Sequence, residues 1–492
     1  TIWERIEEAA GFGRTVTFVD GDTSETITWA DLHHDARAMA AGLQSIGVGE
    51  GDHVAIMGPT TRSLVTAIQA VWLAGGVLVM LPLPMRMGSL DQFIAQTRDR
   101  IRFSRSSVVI LDPQLAAFLE PQPGDPRFVG YDDLTTDATG QNAQDWKRPA
   151  ADPDALAVLQ FTSGSTSEPK GVMLAHRQLC ANIDGCYQAA RMTLDDTVVS
   201  WLPLYHDMGL VGILTSSMVT GTDLVLAGPQ SFMASPSRWV KWLSEYRGTI
   251  TAGPNFAWVL ATRAMKRLDG LDLSALRVAL NGAEPVDHQA MAALVEAGAR
   301  HGLAPGAVFP AFGMAEVCIA GTFPGLGSGL QIDVVDQQRL EHDRVAEPMD
   351  ASDDGAKVFA KLGRAMDGLE IRVVDQVTGE PLPDRAVGEL QIRGTSVFAG
   401  YYGDAERTDE AFDGDWFRTG DLAYLVDGEL VLCGRIKDII IVAGRNVYPE
   451  DVERSVAEVD GVRAGNVIAF GVAGQLRPAG ARLLRRQRVR RH

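Results

Sequence analysis

The residues best suited to chemistry in this chain form a short loop rich in small hydroxyl side chains. Residues 162–171 read TSGSTSEPKG and follow an apolar run typical of a buried strand. Glycines let such a loop turn tightly and expose its N–H groups, hydroxyls add donors, and Lys170 adds a positive charge, which together suit a polyphosphate. The Walker A spacing GxxxxGK(S/T) is absent. On composition alone, the run could equally be a solvent-exposed serine-rich loop.

A second group of polar residues follows other apolar runs that are typical of strands. Tyr205, His206 and Asp207 come directly after the run VVSWLPL. A lone histidine is usually structural, but ligands of open α/β sheets bind at the carboxyl ends of the strands, which makes His206 a candidate functional residue. Glu284 in NGAEP and Glu316 in FGMAE follow further strand-like runs. The sequence therefore predicts one cleft at which several strands end.

The elements that must position these residues alternate between strand-like and helix-like patterns. Such alternation over residues 60–313 predicts largely parallel sheets with crossover helices, in two related halves. Short runs at 369–374, 388–393 and 429–432, separated by turns, predict a small β-subdomain. The predicted fold class is α/β, with two parallel α/β sheets and a small β-subdomain in one large N-terminal domain.

Size and composition exclude several classes of protein. A chain of 492 residues is too long for a single core, so two or more domains are expected. The formal net charge of −18 disfavours nucleic acid or an anionic membrane as a partner. No stretch reaches the ~18 uncharged apolar residues of a transmembrane segment. The four cysteines lack metal-ligand spacing and are interpreted as reduced thiols, which predicts a cytoplasmic protein.

Taken together, the motifs resemble those of the adenylate-forming superfamily, which includes acyl-CoA synthetases and luciferases. In chain order they are FTSGSTSEPKG, SWLPLYHDMGL, GPNFAW, NGAEP, FGMAE, GELQIRG, RTGD and GRIKDIIIVAGRNVYPEDVE. Within the superfamily, WLPLYHDMGL, PNFA and NGAEPV are most similar to fatty acyl-AMP ligases, which pass an activated fatty acid to a carrier protein rather than to free coenzyme A. The 47 positions from Glu316 to Gly363 are consistent with an insertion typical of that subfamily.

The resemblance implies a two-step reaction that uses ATP and Mg²⁺. A fatty acid carboxylate attacks the α-phosphate of ATP to give acyl-AMP and pyrophosphate, and the phosphopantetheine thiol of an acyl carrier protein or carrier domain then takes the acyl group. The protein would supply positioning and electrostatics more than covalent chemistry. Two alternatives remain open: an acyl-CoA synthetase of the same fold, and a catalytically weakened protein that binds the acyl-adenylate.

The resemblance also assigns roles to individual residues. The implied catalytic residues are Lys170 at the β- and γ-phosphates, His206 beside the substrate carboxylate, Glu316 and Arg435. The implied nucleotide-binding residues are Thr162, Ser163, Gly164, Ser165, Thr166, Gly282, Ala283, Glu284, Phe312, Gly313, Met314 and Asp421. Of these, Asp421 would accept both ribose hydroxyls, and the residues from 282–284 and 312–313 would form the adenine slot. Glu316 and Thr166 are the implied magnesium ligands, because a hard cation prefers oxygen.

The resemblance divides the chain into three parts. Residues 1–433 would form the adenylation domain, residues 434–437 a hinge centred on Lys437, and residues 438–492 an incomplete, small and mobile α+β C-terminal domain. Residues 474–492 contain seven arginines and no acid, and without them the net charge would be −25. No lysine follows Lys437, although the family has a catalytic lysine near its C-terminus. We expect an altered reading frame or a truncation with slowed adenylation, and a functional basic tail is the alternative.

Overall fold

The computed structural model describes residues 1–84, 89–135, 145–162, 170–442, 445–457, 459, 462 and 467–470. Its strands are β1 (Thr15–Asp20), β2 (Thr23–Thr28), β3 (His53–Met57), β4 (Val77–Met80), β5 (Val108–Leu111), β6 (Arg127–Val129), β7 (Leu156–Thr162), β8 (Lys170–Ala175), β9 (Thr197–Ser200), β10 (Asp223–Ala227), β11 (Ile250–Gly253), β12 (Val278–Asn281), β13 (Val308–Pro310), β14 (Phe312–Gly313), β15 (Ala320–Phe323), β16 (Ile332–Asp336), β17 (Ala356–Ala360), β18 (Arg364–Ala365), β19 (Leu369–Val374), β20 (Gly388–Gly394), β21 (Phe412–Asp413), β22 (Trp416–Val426), β23 (Glu429–Arg435), β24 (Ile440–Val442) and β25 (Arg445–Val447).

The α-helices are α1 (Ile2–Ala10), α2 (Trp29–Ser45), α3 (Arg62–Leu73), α4 (Leu90–Phe103), α5 (Asp132–Thr135), α6 (His176–Ala189), α7 (Ser216–Thr220), α8 (Pro229–Ala234), α9 (Ser237–Glu245), α10 (Asn255–Met265), α11 (His288–Ala299), α12 (Gln337–Asp343), α13 (Ala405–Glu410) and α14 (Pro449–Ala457). A π-helix spans Met208–Thr215, and 3₁₀ turns span Pro113–Phe118, Pro305–Ala307, Ala315–Val317 and Ile436–Asp438. No described helix is long and apolar enough to cross a membrane.

Two predominantly parallel sheets form the bulk of the molecule. One has seven strands in the order β13-β12-β11-β9-β10-β1-β2, and the other has six in the order β6-β5-β3-β4-β7-β8. Each carries a single antiparallel strand at one edge, since β2 pairs antiparallel with β1 and β8 with β7. This arrangement confirms the predicted fold class. The β1–β2 hairpin turns at Gly21 and Asp22, between the paired residues Asp20 and Thr23.

The six-stranded sheet is buried on both faces, as its sequence pattern requires. Along β3, Val54 and Ile56 belong to the large core that continues into the seven-stranded sheet, whereas Ala55 and Met57 belong to a smaller cluster under α4. Successive strand residues point to opposite faces, so a strand that is apolar at every position needs cover on both sides. The continuous core fixes the two sheets against each other, and a cavity opens where the sheets meet.

The predicted β-subdomain is a five-stranded antiparallel sheet. Its strands follow the order β19-β20-β22-β21, and β23 also pairs with the long strand β22. All three short strands expected from the sequence are present, but β22 at Trp416–Val426 was not predicted from its own pattern. This sheet brings the motifs RTGD and GRIKD together, since they lie on and after the adjacent strands β22 and β23.

The segment that follows β23 packs against the β16–β17 region. Tyr448 is 1% exposed and lies beneath the ammonium group of Lys357, 4.0 Å from its ring centroid. The same ammonium group pairs with Asp451 at 2.5 Å. A cation buried between a carboxylate and an aromatic ring is stabilised by both. The division of the chain into residues 1–433, 434–437 and 438–492 stays a prediction. The tail at 474–492 lies outside the described residues.

Candidate active site

A cavity of about 1190 Å³ opens where the two parallel sheets and the antiparallel sheet meet. Its wall includes Gln160 from β7, Thr251 from β11 and Arg418 from β22, one from each sheet. The predicted site residues in its wall are Thr162, Lys170, His206, Gly282, Ala283, Phe312, Gly313, Met314, Glu316, Arg435 and Lys437. Residues more than 250 positions apart in the chain are therefore brought to one place, as the sequence predicted for a cleft between two halves.

The two ends of the predicted phosphate loop are held together by a β-hairpin. Thr162 ends β7 and is paired with Lys170, the first residue of β8. The strand before the loop was predicted, but the antiparallel strand after it was not. The remaining predicted loop residues, Ser163, Gly164, Ser165 and Thr166, lie outside the described residues. The Lys170 ammonium group lies 5.0 Å from the ring centroid of Tyr401.

Glu316 is a buried carboxyl group in the cavity wall. It lies in the 3₁₀ turn Ala315–Val317, is 8% exposed, and accepts a hydrogen bond of 3.0 Å from the hydroxyl of Tyr401. Burial raises the pKa of Glu316, while the Tyr401 hydrogen bond and the charge of Lys170 act in the opposite direction. Glu316 and the Tyr401 hydroxyl therefore lie together in the cavity wall, close enough to Lys170 for its charge to act on the carboxyl group.

The residues present fit a magnesium ion that is shared with phosphate groups. Among the described residues, no group of three or more His, Cys, Asp or Glu side chains could hold a metal by itself. Magnesium in nucleotide sites commonly takes only one or two carboxylates and completes its shell with phosphate oxygens and water. The single buried carboxylate of Glu316 matches that donor set.

Asp421 and Arg435 form a pair at the end of the antiparallel sheet. They are opposite each other in the β22–β23 register, and a guanidinium nitrogen lies 3.3 Å from the Asp421 carboxylate. Asp421 is 3% exposed, whereas the Arg435 side chain is 54% exposed towards the cavity. Burial raises the pKa of Asp421 to about 6, although Arg435 opposes the shift. Pairing between β22 and β23 therefore brings Asp421 of the motif RTGD beside Arg435 of the motif GRIKD.

We expect the affinity for adenosine to fall as the pH is lowered through about 6. The folded pKa of Asp421 is raised, so the carboxylate that would accept ribose hydroxyls is present above that pH and is neutralised below it. The decrease should approach about tenfold per pH unit once the carboxyl group is mostly protonated. Calorimetric titration with adenosine from pH 5 to 8 measures this, and adenosine has no phosphate of its own to titrate. The Asp421→Asn variant should bind weakly without this step; an identical step in the variant would assign it to another group.

His206 is placed at the cavity by an unusual helix. The π-helix Met208–Thr215 starts two residues after it, and π-turns inside helices often occur at functional sites. Gly209 allows the helix to approach the end of the preceding strand, because a Cβ there would lie 2.3 Å from the carbonyl oxygen of Pro203. The apolar pattern of residues 208–218 is typical of a helix, but it does not distinguish a π-helix from an α-helix.

The imidazole of His206 lies close to a carboxylate. Its Nδ1 is 2.6 Å from an oxygen of Asp207, and half of the side chain is exposed to the cavity. Burial lowers the pKa of His206, but the hydrogen bond and the charge of Asp207 outweigh it and raise the pKa overall. The raised pKa shifts the imidazole towards its protonated form relative to a free histidine, at a site that is expected to receive an anionic carboxylate.

The predicted adenine slot is built from two tight backbone segments. Ala283 has a φ of 76°, a conformation that costs a non-glycine residue energy and occurs most often at functional sites. Gly313 cannot carry a side chain, because a Cβ would lie 1.7 Å from the carbonyl oxygen of Ile319. Phe312 offers an aromatic ring beside them in the cavity wall.

Glu284 is not in the cavity wall, in contrast to its predicted neighbours. Its side chain is exposed, and a carboxylate oxygen accepts a hydrogen bond of 2.8 Å from the N–H of Asn255. Asn255 begins α10, whose unpaired N–H groups attract a carboxylate. The place of Glu284 in the adenine slot stays a prediction, and its side chain contacts the start of α10.

Three residues of the site were missed by the sequence analysis. Tyr401 contacts both Glu316 and Lys170, and Arg407 and Gln160 line the same cavity. The side-chain amide of Gln160 donates to the carbonyl of Tyr205 at 3.1 Å and so ties the strand before the phosphate loop to the segment that carries His206. None of the three stands at a position that composition or periodicity distinguishes from a structural residue.

The chain has the fold of the adenylate-forming ligases. A family model described as AMP-binding enzyme matches residues 6–402, and the chain belongs to that family. It is 38% identical over 449 residues to "Putative ligase Rv1013" of Mycobacterium tuberculosis, covering 90% of this chain and 81% of that protein. It is 33% identical over 485 residues to a 4-hydroxyphenylalkanoate adenylyltransferase of Mycobacterium marinum, covering 92% and 76%.

Solved structures agree with this assignment. One from work on fatty acyl-adenylate ligases of E. coli and L. pneumophila superimposes with a TM-score of 0.87 at 30% identity, covering 94% of this chain and 83% of that one. Another is a fatty acyl-adenylate ligase from L. pneumophila in complex with acyl adenylate and pyrophosphate, with a TM-score of 0.82, 29% identity and coverage of 94% and 81%. The expected resemblance to fatty acyl-AMP ligases is thereby confirmed.

Proposed function

We propose that this protein uses ATP to activate a fatty acid as acyl-AMP, with release of pyrophosphate, and passes the acyl group to a phosphopantetheine thiol on a carrier protein. The observation that carries the proposal is the shared cavity: Lys170 and Glu316 stand at one part of its wall, and Arg435 stands beside the buried Asp421 at another. Apolar residues such as Met80, Ile213 and Val278 line other parts of the same wall. A cavity of this composition suits a ligand that has both an aliphatic chain and a polyanion.

In the proposed first step, an oxygen of the fatty acid carboxylate forms a bond to the α-phosphorus of ATP. The bond from that phosphorus to the bridging oxygen breaks, and its electron pair leaves with pyrophosphate, so no proton is transferred. Protonated His206 would orient the incoming carboxylate, and Lys170 would stabilise the charge that develops on the leaving group. Asp421 and Arg435 would hold the ribose so that the α-phosphate faces the carboxylate.

Magnesium, when bound at Glu316 together with the phosphates, would supply further neutralisation of the polyphosphate charge. In the proposed second step, the thiolate of phosphopantetheine attacks the acyl carbonyl carbon, and AMP leaves with the carboxylate oxygen. Rotation of the segment after 433 about Lys437 would separate the two steps. The four cysteines are free thiols, which supports a reducing compartment such as the cytoplasm.

Product analysis by mass spectrometry tests this function. The protein is incubated with ATP, Mg²⁺ and a panel of fatty acids, first without a thiol, then with coenzyme A, and then with a phosphopantetheinylated carrier protein. The proposal predicts acyl-AMP in the first reaction and acyl-carrier in the third. No acyl-AMP with any fatty acid would contradict it.

An acyl-CoA synthetase is the second candidate, and one specific observation favours it. Among the relatives is a "Putative fatty-acid--CoA ligase fadD25" of Mycobacterium tuberculosis that is 34% identical over 491 residues. If this protein is an acyl-CoA synthetase, coenzyme A is consumed rapidly and acyl-CoA accumulates in the second reaction, which contains coenzyme A. Slow or absent acyl-CoA formation beside rapid transfer to the carrier supports the ligase instead.

A further inference from the structure

Four cationic side chains from four separate segments line the cavity, and three of them act electrostatically on the fourth, Lys170. They are Lys170 of β8, Arg407 of α13, Arg435 of β23 and Lys437 of the following 3₁₀ turn. Three of them stand in motifs that already have a proposed role. Arg407 stands in none, since the segment DAERTDEAF lies between GELQIRG and RTGD.

Arg407 is held in a fixed position relative to Lys170 and Glu316. Asp404 caps α13 by accepting the N–H of Arg407 at 2.9 Å and lies 3.3 Å from its guanidinium group. The hydroxyl of Thr408, on the same helix, accepts the N–H of Tyr401 at 3.0 Å. The Tyr401 ring in turn contacts Lys170, and its hydroxyl contacts Glu316. A chain of direct contacts thus connects the helix that carries Arg407 to the phosphate end of the site.

The positive charges around Lys170 favour the binding of an anion. Burial is the main cause that lowers the pKa of Lys170, and the positive charges of Arg407, Lys437 and Arg435 lower it further, with Glu316 opposing them. Like charges that are held together in a partly buried site destabilise one another until an anion binds among them. A pyrophosphate group, with several negative charges, is the ligand that such a cluster fits.

The position of Arg407 favours the pyrophosphate end over the ribose end. Its charge acts on Lys170 and on Tyr401, whereas Arg435 and Lys437 are the cations that act on Asp421. The guanidinium fork also matches the paired oxygens of a phosphate group better than an ammonium group does. One of its edges pairs with Asp404, and 30% of the side chain remains exposed.

We propose that Arg407 is a further catalytic residue of the adenylation step, binding the β- and γ-phosphates of ATP and then the pyrophosphate that leaves. This inference rests on the proposed function. As the bond from the α-phosphorus to the bridging oxygen breaks, the electron pair moves onto pyrophosphate, and Arg407 stabilises that charge beside Lys170. No proton or further reactant is required.

Binding and reverse-reaction measurements on matched variants test the role of Arg407. The variants are Arg407→Gln, Arg407→Lys and, as a control, Arg339→Gln. Arg339 lies 2.6 Å from Asp343 of its own helix and is outside the cavity wall, so the control also removes an arginine that is paired with an aspartate. Inorganic pyrophosphate is titrated calorimetrically, the pyrophosphate-dependent return of acyl-AMP to ATP is timed, and a non-hydrolysable acyl-sulfamoyl adenosine is titrated as the acyl-adenylate probe. Unfolding temperatures identify any variant that does not fold.

Arg407→Gln should weaken pyrophosphate binding by about tenfold to a hundredfold, the range expected for loss of a charge-assisted contact, and should leave the acyl-sulfamoyl adenosine affinity within about twofold. The pyrophosphate affinity of Arg407→Lys should lie between those of Arg407→Gln and the wild type, and that of Arg339→Gln should match the wild type. Unchanged pyrophosphate affinity in a folded Arg407→Gln protein, or an equal loss for both ligands, would overturn the inference. A wild type that binds pyrophosphate through Arg407 but makes no acyl-AMP would overturn the proposed function and the catalytic role of Arg407, and would leave Arg407 as a pyrophosphate-binding residue.

Discussion

Replacement of Glu316 by glutamine is expected to slow acyl-AMP formation by ~10²–10³, the range typical of losing one preorganised electrostatic contact in a reacting site. Glutamine retains the shape of the side chain and an oxygen for the hydroxyl of Tyr401, but it removes the charge that faces Lys170 and the proposed magnesium ion. The concentration of Mg²⁺ needed for half-maximal activity should rise as well. Pyrophosphate release at saturating fatty acid, measured over a range of Mg²⁺ concentrations, follows both effects.

Two controls separate this role from a structural one. Glu370→Gln removes a carboxylate that pairs with Arg393 at 2.7 Å outside the cavity wall, and it should leave the rate unchanged. Tyr401→Phe keeps the ring beneath Lys170 and removes only the hydrogen bond to Glu316, so its effect should be far smaller, about tenfold at most. A Glu316→Gln protein that folds and retains the wild-type rate would show that Glu316 has no part in the reaction.

Replacement of Lys170 by alanine is expected to weaken ATP use much more than acyl-adenylate binding. The ammonium group stands at the junction of the phosphate loop, so its charge faces the pyrophosphate that acyl-AMP no longer carries. Loss of a charge-assisted contact is worth about 1.5–3 kcal/mol, which corresponds to roughly ten- to hundredfold in kcat/KM for ATP. Steady-state kinetics with ATP and titration with acyl-sulfamoyl adenosine provide the comparison.

Lys241→Ala is the matched control for this variant, because Lys241 is an exposed lysine of α9 outside the cavity wall. It should behave as the wild type in both assays. An equal loss of ATP use and acyl-adenylate affinity in Lys170→Ala would mean that the charge acts on a part that both ligands share, such as the α-phosphate.

The predictable part of the site follows from strand order and strand ends. His206, Gly282 and Glu316 each come soon after a buried apolar strand, and the carboxyl ends of parallel strands gather at one edge of a sheet. The pairing of Asp421 with Arg435 needed the register of β22 and β23, which the short motifs RTGD and GRIKD do not specify by themselves.

Other parts of the site depend on tertiary contacts that no local pattern encodes. Tyr401 lies between β20 and α13, and Arg407 lies within α13, a helix of only six residues. In such short segments neither periodicity nor apolar content distinguishes a cavity residue from a surface residue. The side chain of Glu284 depends on such a contact as well, since its carboxylate accepts the N–H of Asn255 at the start of α10. The π-helix at Met208–Thr215 differs from an α-helix by its hydrogen-bond spacing, to which apolar composition is insensitive.

Transfer of ¹⁸O from a labelled fatty acid into AMP tests the central claim most directly. The protein is supplied with a fatty acid that carries ¹⁸O in its carboxylate, with unlabelled ATP, Mg²⁺ and a phosphopantetheinylated carrier protein, and AMP and pyrophosphate are analysed by mass spectrometry. If the carboxylate attacks the α-phosphorus and the thiol then attacks the acyl carbon, each AMP released carries one ¹⁸O and pyrophosphate carries none. AMP without label, or label in pyrophosphate, would contradict the formation of acyl-AMP in this cavity.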